Sequence, residues 1–110
     1  MYRVTVSGPL TFAVPQLGAA ALLPNQVETG ITTKIVHVVR NEYAVHSQHV
    51  DQRGTWKCNA FVELNQDTGC WEVSQDALIS GWIAIRSYAS DELREALQCA
   101  VRISAKFLQD

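Results

Sequence analysis

Residues 31–74 read ITTKIVHVVRNEYAVHSQHVDQRGTWKCNAFVELNQDTGCWEVS, and this stretch decides the fold. β-branched residues dominate positions 31–40, and 43–50, 55–64 and 70–74 follow as further strand-like runs. Turn-forming residues separate these runs: Asn41, then Gln52-Arg53-Gly54, then the segment from Asn65 to Gly69. Spacers this short join antiparallel neighbours, whereas parallel strands need long crossovers, so the stretch predicts a meander.

Working outward, residues 2–7 alternate Tyr2, Val4 and Val6 with Arg3, Thr5 and Ser7, which predicts an N-terminal edge strand ended by Ser7-Gly8-Pro9. Residues 11–23 fit either a short strand over 11–14 or a helical turn over 17–23 that Gly18 weakens. Pro24-Asn25 and Gly30 mark a loop. Downstream, residues 82–87 predict another strand, with Ile83 and Ile85 on one face. The chain then carries a helix signal: Ser90 as cap and Asp91 and Glu92 in the first turn. Leu93, Ala96, Leu97, Ala100, Val101, Ile103, Phe107 and Leu108 form its apolar stripe, with Glu95, Gln98, Arg102 and Lys106 opposite. The sum is an α+β fold, a meander of four to six antiparallel strands with a C-terminal amphipathic helix packed on one face. At 110 residues the chain predicts a single domain over 1–110.

Register decides what the second face of the sheet carries, because a slip of one residue inverts every side chain. A two-residue turn at Asn41-Glu42, with Val50 opposite Thr55 and Leu64 opposite Trp71, gathers Val36, Val38, Tyr43, Val45, Trp56, Cys58, Ala60, Val62, Leu64, Trp71 and Val73 under the helix. The opposite face then holds Ile35, His37, Val39, Ala44, His46, Gln48, Val50, Lys57, Asn59, Phe61, Glu63, Glu72 and Ser74. In this register His37 faces His46, and His46 faces Asn59. The mixed character of that face makes Ile35, His37, Val39, His46, Asn59 and Phe61 the candidate binding residues, joined by Trp82.

Composition narrows the function classes. With 47% hydrophobic and 18% charged residues the chain is a folded one rather than a disordered one. Net charge is −2 and the nine basic residues are scattered, without the basic stripe that phosphate neutralisation needs, so the sequence points away from nucleic acid. No apolar run approaches the ~20 residues that span a bilayer, and Pro15-Gln16 interrupts the stretch at 10–23 that would otherwise resemble a secretory signal. Cys58, Cys70 and Cys99 form no CxxC pair, which suits reduced thiols in the cytoplasm.

Catalytic motifs are missing. Neither a GxSxG elbow nor a phosphate-binding glycine loop occurs. A metal reading of His37 and His46 has only two converging ligands, since His49 and Cys58 point the other way in a regular strand. No catalytic residue, metal or cofactor is therefore assigned. Glu63 and Glu72 read as solvated neighbours across a hairpin, beside Lys57. The sequence favours a small non-catalytic binding module that self-associates through the uncovered sheet face or an edge strand. The alternatives are a small-molecule domain with a pocket between sheet and helix edged by Tyr43, Trp56 and Trp82, and an acid–base enzyme using His46 with Glu63 or Glu72.

Overall fold

The computed structural model describes residues 12–23, 30–49 and 55–108. The strand expected over residues 2–7, and Val50 with its expected pairing, lie outside the described residues. Six strands run in chain order: β1 (Ala20–Leu22), β2 (Ile31–Val39), β3 (Glu42–His49), β4 (Lys57–Asn65), β5 (Cys70–Asp76) and β6 (Trp82–Tyr88). Each is antiparallel to the next, so the sheet order is the sequence order. Among the described residues one α-helix, α1 (Leu93–Phe107), packs across β2 to β5 and reaches β6 less, and a single 3-10 turn stands at Leu78–Ser80. The α+β meander and its helix are as the sequence predicts. No described helix is long and apolar enough to cross a membrane.

The core lies between α1 and one face of the sheet. Ile35, Val45, Ala60, Val62, Val73, Ala96, Leu97 and Ala100 are fully buried there. Alanines at 96, 100 and 105 and Ser104 keep that face of the helix thin, so its backbone sits close to the strands. Ser104 continues the stripe as a polar residue at an apolar position, and it is fully buried. Its hydroxyl lies 2.7 Å from that of Ser47, which lies 3.0 Å from the Thr33 hydroxyl. Since the Val45 carbonyl, 3.5 Å away, can only accept, Ser104 donates to it, Ser47 to Ser104 and Thr33 to Ser47. Buried hydroxyls arranged this way are satisfied in series.

Ser90 does not cap the helix. The cap position is Glu92, whose carboxylate accepts from the Ala89 amide at 2.9 Å, while the Ser90 carbonyl accepts from the Trp71 indole N–H at 3.0 Å. Neither alternative for residues 11–23 is met among the described residues: 12–14 form no strand and 17–23 no helical turn, and a short strand, β1, stands at Ala20–Leu22 after a turn in which Gly18 takes a positive φ of 81°.

Two irregularities correct the register read from the sequence. The β2–β3 loop is Arg40-Asn41, not Asn41-Glu42, with Asn41 left-handed at φ 70°. Asparagine tolerates that region far better than glutamate, which favours this loop. A bulge at Val38 adds a further shift. Together they place His37 opposite Tyr43 and Ile35 opposite Val45, turning both toward the helix. A second bulge, in β4, lets Asn59 and Ala60 both face the helix, because Val45 pairs with Ala60 and His46 with Cys58. Trp56 and Cys58 consequently leave the core face on which the sequence pattern had placed them, and Lys57 falls opposite Ser47 instead of joining the open face. The bulge is matched to a contact: the buried Asn59 amide donates to the Ser104 carbonyl in the last turn of α1, at 3.5 Å.

Candidate functional site

Three rows of side chains cross the uncovered face of the sheet. The central row runs Val36, Ala44, Phe61, Ser74 and Ala84. On one side stand Glu42, Glu63 and Glu72, each directly opposite the next. On the other stand Lys34, His46 and Cys58. From the edge of the sheet Trp82 meets Phe61 edge to face, with centroids 5.3 Å apart and planes at 78°. These two rings, with Glu42, Glu63 and Ser74, line a cleft of about 240 Å³.

Four of the seven candidate binding residues lie on this face: Val39, opposite Glu42, then His46, Phe61 and Trp82. Ile35, His37 and Asn59 do not. Ile35 and Asn59 are buried under the helix. His37 stacks on Tyr43 at 4.1 Å and donates from Nδ1 to the Pro15 carbonyl at 3.2 Å, which leaves Nε2 buried with no partner among the described residues. The sequence-derived apposition of His37 with His46 is thus lost, since the two lie on opposite faces. Among the described residues no three His, Cys, Asp or Glu side chains gather closely enough to hold a metal ion. A cavity of about 560 Å³ does lie between sheet and helix, lined by Gln75, Leu78, Ile103, Lys106 and Phe107, but the aromatic edge expected for it is corrected, because Tyr43 is buried on the helix side while Trp56 and Trp82 belong to the other face.

The basic end of the face is quiet chemically. The Lys34 ammonium sits 4.5 Å from the Trp56 ring centroid. Burial first, and the Lys34 charge second, push the His46 imidazole below its ordinary 6.5. Burial also pushes the Cys58 thiol up, so the cross-strand His46–Cys58 pair favours neutral imidazole and thiol over the thiolate–imidazolium pair of a nucleophile. His46 and Glu63 are far apart for shared proton transfer, since Glu63 faces Glu42, four residues along β3 from His46, or roughly 13 Å at strand rise.

The depressed His46 makes a pH prediction. In the unfolded chain the imidazole binds a proton near 6.5, where the folded one does not, so stability rises with pH through that window. The stabilisation is fully present above pH 6.5 and is lost as pH falls below it toward the folded value. In thermal melts over roughly pH 5–8, His46→Gln is expected to flatten the acid side of the curve; an unchanged slope would remove His46 from the explanation.

The edge strand β6 is the other feature of this region. Every residue from Trp82 to Ser87 is exposed, including Trp82, Ile83 and Ile85 at 49, 45 and 42%. No described strand pairs with its outer side. The hairpin leading into it carries Leu78 and Ile79 at its tip, 70 and 103% exposed, with Leu78 left-handed at φ 59°. This tip lies outside the candidate residues that the strand pattern picks out. Its signal is the pair of large aliphatics in Asp76-Ala77-Leu78-Ile79-Ser80-Gly81, where turn chemistry calls for small and polar residues.

The chain matches no family model, no curated protein and no solved structure in these comparisons.

Proposed function

We propose that this chain is a non-catalytic interaction module that pairs with a second copy of itself, edge to edge along β6. The observation that carries the reading is an apolar edge strand exposed along nearly its whole length. An open edge presents unpaired N–H and C=O groups, and proteins that keep such an edge solitary blunt it with lysine, proline, bulges or a covering element. β6 has one charge, Arg86, no proline, and no described element over it. β6 itself carries one bulge, at Ile85, the residue left over between the pairs Val73–Arg86 and Ser74–Ala84, and this is the single irregularity in its inner pairing.

Self-pairing follows from symmetry. Two identical strands laid antiparallel are related by a two-fold axis, so each donor meets an acceptor of its mate and the assembly closes as a dimer. That arrangement continues the meander from six strands to twelve and carries each Leu78–Ile79 tip past the far end of the partner's β6. The left-handed Leu78, a conformation that costs a non-glycine residue roughly 1–2 kcal/mol, is held by its amide donating to the Asp76 carboxylate at 2.8 Å and its carbonyl accepting from Gly81 at 3.2 Å, and it leaves the aliphatic pair at the tip exposed. A cytoplasmic location accompanies the proposal, since Cys58, Cys70 and Cys99 are all free thiols. Light scattering on the size-exclusion peak is expected to return twice the 12.2 kDa chain mass at micromolar concentrations. A mass of one chain at every concentration up to the millimolar range contradicts the proposal.

A further inference from the structure

Pairing along β6 uses main-chain groups that point sideways out of the sheet and leaves the cleft on its face open. That cleft has two unlike walls. One is aromatic, formed by Phe61 and the half-exposed Trp82 in edge-to-face contact. The other is acidic, formed by Glu42 and Glu63, with Glu72 directly opposite Glu63 on the next strand. Neighbouring strands lie about 5 Å apart, so three carboxylates stand in one line across β3, β4 and β5. Like charges directly opposite each other destabilise a sheet. No described residue forms an ion pair with any of the three, and Lys57 lies at the far end of β4, opposite Ser47.

What would relieve this row must be cationic, and its size is bounded from both sides. A bare metal ion is too small, because no three ligand side chains among the described residues approach closely enough to hold one. A drug-sized ligand is too large: the 240 Å³ cleft falls short of the ~300–1,000 Å³ of small-molecule pockets. One side chain fits. A guanidinium suits these walls better than an ammonium, since it is planar, lies flat on an aromatic face, and offers its N–H donors as a fork to carboxylates set side by side. We infer that this cleft binds the arginine side chain of a partner polypeptide, with the guanidinium against Trp82 and its N–H groups donated to Glu42, Glu63 and the Ser74 hydroxyl oxygen. The inference rests on the reading of the chain as a binding module, and although Trp82 belongs to β6 it uses the open face of the sheet and not the outward main-chain edge of that strand.

The test follows the indole N–H resonance of Trp82 in ¹⁵N-labelled protein, identified by its loss in Trp82→Phe. A blocked Gly-Arg-Gly peptide is expected to move that resonance saturably and to leave that of the buried Trp71 in place. The same peptide with citrulline for arginine keeps the shape and loses the charge, and is expected to bind at least about tenfold more weakly, as is arginine peptide to Glu63→Gln, each lacking a charge-assisted hydrogen bond. Glu63→Gln also removes a like-charge contact, so its melting temperature without peptide should equal or exceed that of the parent, which separates lost binding from lost folding. No saturable shift, equal affinity for the two peptides, or unchanged affinity in Glu63→Gln overturns the inference. Such a failure with the β6 dimer intact sinks the cleft alone; a monomer that still binds the arginine peptide sinks the dimer alone.

Discussion

Ile35→Asp is expected to leave the chain unfolded at 25 °C, while Val39→Asp, four residues along the same strand, folds normally. The two valine-like positions look equivalent in the sequence, where both fall on the uncovered face. In the structure Ile35 is fully buried between Val45 and the helix, and Val39 is 49% exposed opposite Glu42. An aspartate at 35 has no cation beside it and must ionise in the core or take up a proton there. Either way it forfeits the burial of the isoleucine as well, a sum beyond 4–5 kcal/mol that rivals the ~5–15 kcal/mol stability of a small domain. At 39 the new carboxylate enters water, and its cost stays within about 1 kcal/mol apart from repulsion by Glu42. Circular dichroism and thermal melts distinguish the two. Equal behaviour of the variants would mean that the register described for β2 is wrong.

That contrast also marks where sequence reasoning reaches its limit. The meander, the helix stripe and the Leu64–Trp71 register are legible because each rests on a local period and a strong turn: Asn65 to Gly69 holds β4 and β5 in step, with the Asn65 carboxamide oxygen accepting from the amides of Asp67 and Thr68. The face assignment of β2 is not legible, because it depends on one ambiguous turn and on a bulge at Val38 that no local pattern announces. Asn59 and Ser104 show the same limit from inside the core. Each is a polar residue whose burial makes sense only once the other element is packed against it, and their contact joins positions 45 residues apart. Of the candidate site, His46 and Phe61 emerged from the alternation of β3 and β4, Trp82 from its aromatic character after Gly81, and Val39 reaches the open face only through the loop and bulge that shifted the rest of β2. The row Glu42, Glu63, Glu72 did not, since it needs three strands in register at once.

The second large effect concerns β6. Ile83→Lys combined with Ile85→Lys is expected to convert the dimer to a monomer, weakening self-association at least about 100-fold, or roughly 2.7 kcal/mol. Antiparallel pairing about a two-fold axis near the middle of β6 brings position 83 beside position 85 of the mate, so lysines meet where apolar side chains would otherwise be covered. Both positions are already 42–45% exposed in the single chain, so the fold should survive, with a melting temperature within a few degrees of that of the parent monomer. Retention of the dimer by a well-folded double variant would move the interface away from β6.

Amide hydrogen exchange across β6 as a function of protein concentration tests the central claim most directly. In a solitary edge strand the outward-facing amides exchange with solvent, and only the inward ones bonded to β5 are protected. The account predicts that the outward amides between Trp82 and Tyr88 become protected as concentration rises through the dimerisation range, in step with the mass from light scattering. Outward amides of β6 that exchange equally fast at every concentration, with or without a dimer present, would contradict it.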